Sequence, residues 1–185
     1  YLATQEDPET SELFVTDPDG QNNRRINGAL AEGDEVAEFR WSPDGSRLTY
    51  LVRRSASNVQ ELLSNGVDGD DEQRVHPAFE ENRRVLRYAW SPDGGHIAYA
   101  ADQDTANLFE LFVSEPNGAN NLKLNGPLPL DSLGFRSAPF AWSPTDDRIA
   151  YQTDQNEAGV VELFTVRRDG SDRATVNPPL AQDGD

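Results

Sequence analysis

The chain contains no cysteine and no methionine, one lysine and two histidines. Without cysteine it has no disulfide, no thiolate metal site and no cysteine nucleophile, and the compartment stays open because Cys-free chains occur on both sides of a membrane. Lys123 apart, the 16 cations are arginines, set against 33 acids for a net charge of -17. That balance gives no footprint for nucleic acid or an acidic membrane surface. No window approaches the roughly 18–20 uninterrupted apolar residues of a bilayer span, so no membrane insertion is expected, and no segment carries a sustained helical period. GxSxG elbows, HExxH helices and phosphate-cradling glycine loops are missing. His76 and His96 sit in structural positions of a repeat, and no pair of acids stands in the apolar setting that raises a catalytic pKa. The expectation is therefore no catalytic residue, no cofactor and no enzyme activity in this segment.

What is present is a globular composition, 36% hydrophobic over 185 residues, with an arginine- and aspartate-rich surface suited to a salty or extracytoplasmic setting. It is organised as a repeat. WSPDG at Trp41, Ser42, Pro43, Asp44 and Gly45 recurs at Trp90, Ser91, Pro92, Asp93 and Gly94, and as WSPTD from Trp142 through Pro144, with spacings of 49 and 52. ELFV at Glu12 returns as ELL at Glu61, ELFV at Glu110 and ELFT at Glu162. Trp to the following Tyr is always 9 residues, and Tyr to Glu always 11. Each unit ends on a polar stop at Asn27, His76, Asn125 or Asn177. The extra three residues of the longer spacing fall between Asn125 and Trp142, around Pro127 to Phe135.

Each unit reads as four short strands. The first is Val36 to Trp41, Val85 to Trp90 and Ala138 to Trp142; the second Arg47 to Leu51, His96 to Ala100 and Arg148 to Gln152. The ELFV run is the third, and the fourth is Arg24 to Asn27, Gln73 to His76, Leu122 to Asn125 and Ala174 to Asn177. Ser-Pro-Asp-Gly is tight-turn chemistry, with Pro presetting φ and Gly accepting a positive φ. Strands two and three are apolar on both faces, so each sheet is expected between two neighbours. Small four-stranded sheets stacked about an axis satisfy this, which makes the fold class an all-β propeller. The tryptophans are expected to pack between blades.

WSPDGxxIAY followed by ELFVxxxDG resembles the TolB-type PD40 propeller repeat, a relative of the WD40 repeat, over essentially the whole chain. The resemblance implies antiparallel blades and one of several uses: TolB-like periplasmic proteins, gating domains of prolyl-oligopeptidase-type peptidases, or secreted bacterial proteins. On this reading residues 1–33 are an incomplete blade lacking its innermost strand, and 34–82, 83–133 and 134–185 are blades. The expectation is a piece of a larger ring of roughly six to eight blades; an imperfectly closed ring of four, or two chains completing one ring, are the alternatives.

In such a meander the SPDG and Asp-Gly turns share one rim, and the other rim carries TQEDPETS, RRSASNVQ, DQDTANLF, DQNEAGVV and the insertion. Loops that vary over a constant scaffold are where specificity resides. The candidate binding rim is Arg53, Arg54, Asp102, Asp104, Asp131, Phe135 and Asp154, presented to a protein or other macromolecule. Asp102, Asp104 and Glu110 have the oxygen chemistry of a calcium site. Against it, the glutamate recurs in the unit where Arg53 and Arg54 replace the acids, so no metal is assigned. The leading expectation is a scaffold in the periplasm or outside a bacterial cell; the competing one is the gating propeller of a peptidase.

Overall fold

Fifteen strands and no helix are found among the described residues, which in this computed structural model are 1–5, 10–129, 131–132, 134–136 and 138–178. They form four antiparallel meanders in chain order. The first holds β1 (Leu2–Ala3), β2 (Glu12–Val15) and β3 (Arg24–Arg25). The second holds β4 (Glu35–Trp41), β5 (Arg47–Arg54), β6 (Val59–Gly66) and β7 (Gln73–Arg74). The third holds β8 (Val85–Trp90), β9 (Ile97–Thr105), β10 (Leu108–Ser114) and β11 (Leu122–Lys123), and the fourth β12 (Phe140–Trp142), β13 (Arg148–Thr153), β14 (Glu162–Arg167) and β15 (Ala174–Thr175).

The constant Tyr-to-Glu interval is a register. It places Tyr99 opposite Phe112 and Tyr151 opposite Phe164, and these rings stack at 5.6 and 5.4 Å. In the ELL variant Leu63 stands opposite Tyr50 instead, which keeps the contact apolar without the ring.

Successive sheets pack face to face because side chains alternate along each strand. On β9, Ile97, Tyr99 and Ala101 join Leu51 and Leu62 of the second sheet, whereas Ala98 and Ala100 join Ile149, Tyr151 and Phe164 of the fourth. On β5, Leu48, Tyr50 and Val52 turn the other way, toward Leu13 and Ile26 of the first sheet. A two-faced core of this kind explains the lack of polar alternation in the sequence.

Indole N–H groups tie neighbours together. Trp90 Nε1 donates to Thr49 Oγ1 at 3.0 Å, and Trp142 Nε1 donates to Ala89 O at 3.1 Å. Trp41 departs from the expected packing: it is 45% exposed.

The fourth strands are shorter than the sequence implied. After two ladder residues the polar stop takes over: Asn27, Asn125 and Asn177 each accept the N–H of Leu13, Leu111 and Leu163 on Oδ1. Each then donates through Nδ2 to the next carbonyl, of Gly28, Gly126 and Pro178. His76 does the same with a ring: Nε2 accepts from Leu62 N at 3.1 Å, which leaves Nδ1 to donate to Pro77 O at 2.6 Å. The side chain replaces a backbone rung, so the strand ends early without an orphaned buried donor.

Gly45 and Gly94 adopt φ of 70° and 71°, and Asp44 and Asp93 accept from Ser46 N and Gly95 N. In the degraded third copy no residue of the turn has positive φ, yet Ser143 N still donates to Arg148 O as Ser42 does to Arg47 O. The hairpin survives the loss of its glycine.

Candidate functional site

The rim formed by the connections from second to third and from fourth to first strands is built around buried carboxylates. Asp102, within β9 toward its end, is fully buried and accepts from Arg84 N at 2.7 Å and Asn107 N at 3.1 Å. Asp154 is equally buried and accepts from Ser132 Oγ and Gly159 N. Both hold loops in place from inside and present no surface. Residues 6–9 of the first loop lie outside the described residues, as do 130 and 133 of the insertion.

In the second sheet the acid has moved across the blade. Asp34, ahead of β4, accepts from Ser55 N and pairs with Arg54 at 3.1 Å, whereas in the third sheet Arg83 donates to Asp102 O from the facing position. Arg54 also pairs with Glu61 at 2.7 Å, and Arg74 reaches the same carboxylate at 3.0 Å. Burial works against the Glu61 charge, but the two guanidiniums hold its carboxyl below the usual range.

Of the oxygen set with calcium chemistry, Asp104 and Glu110 are arranged around a cation the chain supplies itself, and Asp102 is turned away to backbone N–H groups. Lys123 Nζ lies 2.9 Å from Asp104 and 3.2 Å from Glu110. Burial lowers and the two carboxylates raise the Lys123 pKa, with a net upward result. The recurring strand-three glutamate is taken up by a fourth-strand cation at Glu12 with Arg25, Glu61 with Arg74 and Glu110 with Lys123. Among the described residues no group of acids or histidines is placed to hold a metal.

Phe135 lies at 0% exposure inside the core between third and fourth sheets, 5.5 Å from the Tyr151 ring. The insertion is pinned there: Phe135 N donates to Phe109 O at 2.9 Å, and Ser132 Oγ accepts from Gly134 N while donating to Asp154. Gly134 has φ of 54°, and a Cβ there would meet Phe109 O at 2.6 Å. Asp131 alone of the insertion's candidates is exposed.

Of the expected rim, then, Arg53, Asp104 and Asp131 face solvent, Arg54 is partly covered, and Asp102, Asp154 and Phe135 face inward. Arg53 and Arg54 also line a cleft of about 450 Å³ with Gly33, Glu35, Ser55, Asn58, Gln60, Asn82 and Arg84. Arg84 and the two asparagines were not singled out by the repeat. Arg84 takes the place of Glu35 in the unit before, and its one sequence signal is the Arg83-Arg84 doublet that answers Arg53-Arg54.

Solved structures with the same arrangement of sheets include a putative TolB from Agrobacterium tumefaciens, with TM-score 0.56 and 19% identity over 94% of this chain and 58% of that one. The fold is that of a β-propeller. The propeller domain of the Trilobed protease from Pyrococcus furiosus matches with TM-score 0.61 and 11% identity, over 92% of this chain and 49% of that one. A puromycin-hydrolyzing peptidase from Mycobacterium tuberculosis matches with TM-score 0.62 and 16% identity, over 96% of this chain and 29% of that one. The chain therefore spans between about three tenths and three fifths of these structures' length. No family model and no curated protein matches it. No helix among the described residues is long and apolar enough to cross a membrane.

Proposed function

We propose that this chain is a non-catalytic propeller segment that acts as a rigid binding scaffold, with blades at 34–82, 83–133 and 134–185 and a partial blade at 1–33, in the periplasm or outside a bacterial cell. The observation that carries the reading is the contrast between the ends of the blades. One end repeats the same aspartate-held turns; the other sets different exposed side chains, among them Arg53, Asn58, Asn82, Asp104 and Asp131, on loops whose bases are locked by buried Asp34, Asp102 and Asp154. Locked bases with variable tips lower the ordering cost of binding.

The test is site-specific photo-crosslinking in the native cell from Asn58 on the variable end and from Asn117 on the opposite end. Defined adducts from Asn58 and none from Asn117 are expected; adducts confined to Asn117 overturn the assignment of the binding face.

The likeness to propellers of two peptidases supports a second reading, a gating domain whose nucleophile lies outside these residues. Labelling of the full-length gene product by a fluorophosphonate probe selects it over the scaffold.

A further inference from the structure

Four asparagines stand directly before a glycine: Asn27, Asn65, Asn117 and Asn125. The pair is chemically labile, because asparagine is among the thermolabile residues and a following glycine puts no side chain in the way of attack by its own main-chain nitrogen on the amide. Three of the four are held against that reaction. Asn27, Asn65 and Asn125 are 3%, 0% and 4% exposed, and each donates its Nδ2, to the carbonyls of Gly28, Ile26 and Gly126. In two of them the nucleophile is committed as well, since Gly28 N donates to Glu72 Oε2 at 2.7 Å and Gly126 N to Gln155 Oε1 at 3.0 Å.

Asn117 is the exception. It lies exposed in the turn between β10 and β11. Its Oδ1 accepts from Ala119 N at 2.9 Å, and its Nδ2 donates to no group among the described residues. The ring closed by the Ala119 bond contains both Asn117 Cγ and Gly118 N, the two atoms that must join, and the N–H on Oδ1 faces the oxygen on which charge develops during attack. Gly118 N donates to Glu115 O at 2.9 Å, a contact within one surface turn that opens without loss of any ladder or core. Asn117 also lines a cleft of about 470 Å³ with Arg47, Asp71, Gln73, Glu115 and Pro116, which admits water. The other three units carry an aspartate here, Asp19, Asp68 and Asp169. An ionised carboxylate resists the same attack, and the Ser171 hydrogen bonds hold Asp169 below the usual carboxylate range; an amide has no such protection.

We propose that the Asn117-Gly118 pair is a site of spontaneous deamidation, at which the chain modifies itself with water as the co-reactant. Gly118 N loses its proton to solvent base and bonds to Asn117 Cγ, the Cγ–Nδ2 bond breaks, and Nδ2 leaves as ammonia. Water then opens the cyclic imide at one of its two carbonyls, which yields aspartate or isoaspartate. Aspartate restores the residue of the other three units. Isoaspartate puts an extra methylene into the main chain just ahead of Gly118, which lies so close to Arg74 O of the second sheet that a Cβ would collide with it. One product is therefore silent in the fold, and the other loosens the contact between neighbouring sheets. Either adds an acid to a chain of net charge -17. The site is at the end of the blades opposite the variable loops, so it is independent of the scaffold reading.

The test uses the unmodified chain. It is incubated folded and in urea, at neutral and at mildly alkaline pH, and peptide maps at successive times follow the gain of one mass unit at each Asn-Gly pair, with isoaspartate scored by isoaspartyl methyltransferase labelling. Conversion in urea gives each pair's rate without structure. In the folded protein Asn117 should convert about tenfold or more faster than Asn27, Asn65 or Asn125, and faster at the higher pH. The isoaspartate fraction should unfold at a lower midpoint than Asn117→Asp, which carries the silent product from the start. Conversion spread evenly over the four pairs of the folded chain, or an Asn117 that folding protects about tenfold or more relative to urea, overturns the proposal. An isoaspartate fraction as stable as Asn117→Asp overturns the loosening of the sheets.

Discussion

His76 shows how a single side chain can be read correctly in place and missed in role. The sequence places it in the register of Asn27, Asn125 and Asn177, and so as structural; it does not say that the ring copies both hydrogen bonds of the amide, because that equivalence depends on the tautomer. The copy is imperfect in acid. Burial pushes the His76 pKa down to about 4, against the hydrogen bond to Pro77, and a protonated Nε2 could not accept from Leu62 N. The unfolded chain therefore takes up the proton first, near pH 6.5, and stability falls as pH drops from 6.5 toward 4. His76→Asn should remove that slope. The gap in unfolding free energy between parent and variant should move by about 2–3 kcal/mol between pH 7 and pH 4.5, measured by urea denaturation at both values. A pH-independent gap would mean the ring is not held neutral. Asp102 and Asp154 are the opposite case: their loop position reads as exposed acid, and nothing in the spacing reveals that backbone N–H groups have drawn them inside.

At the scale of elements, the meander and its strand order were legible because period, turn chemistry and register agreed. The lengths were less so. Fourth strands are cut short by side-chain rungs, which composition does not announce, and β12 begins at Phe140 rather than Ala138. The insertion is the clearest departure. Extra residues in a connection read as a surface loop, but an aromatic within reach of a core can fold back into it, and Phe135 does. Phe135→Ala should cost about 3–5 kcal/mol, whereas Asp131→Ala, at the exposed tip, should stay within about 0.5 kcal/mol. Thermal or chemical unfolding of the two variants decides it. Comparable small losses would show that the insertion can be lifted off the core without consequence.

For the whole molecule the decisive pattern is the two-faced sheet, which the unbroken apolar runs of strands two and three announced. Neighbouring blades are also stitched by their tryptophans, and the stitches are unequal. Trp142→Phe removes a bond to Ala89 O and should destabilise by about 1 kcal/mol, while Trp41→Phe, whose indole meets no acceptor among the described residues, should be within about 0.5 kcal/mol of neutral. Matched unfolding curves make the comparison, and equal losses would mean ring packing alone accounts for both. The cleft lined by Arg53, Arg54 and Arg84 was illegible at this scale because it belongs to no repeat. It arises between units, from an arginine in one and a doublet in the other.

The second blade holds buried Asp34 with Arg54 and Ser55 N, and the third holds buried Asp102 with Arg84 N and Asn107 N while Arg83 binds its carbonyl, which limits how these blades can be shuffled. As whole modules each carries the groups that satisfy its own buried carboxylate, so duplication keeps both satisfied. A crossover at the SPDG hairpin does not. Joining the opening strand of the second blade to the remainder of the third would set Asp34 beside Asp102, two carboxylates both nearly sealed from water, and the reciprocal joint would leave arginines facing arginines. The hairpin that looks most interchangeable in the sequence is thus a costly place to recombine these two repeats.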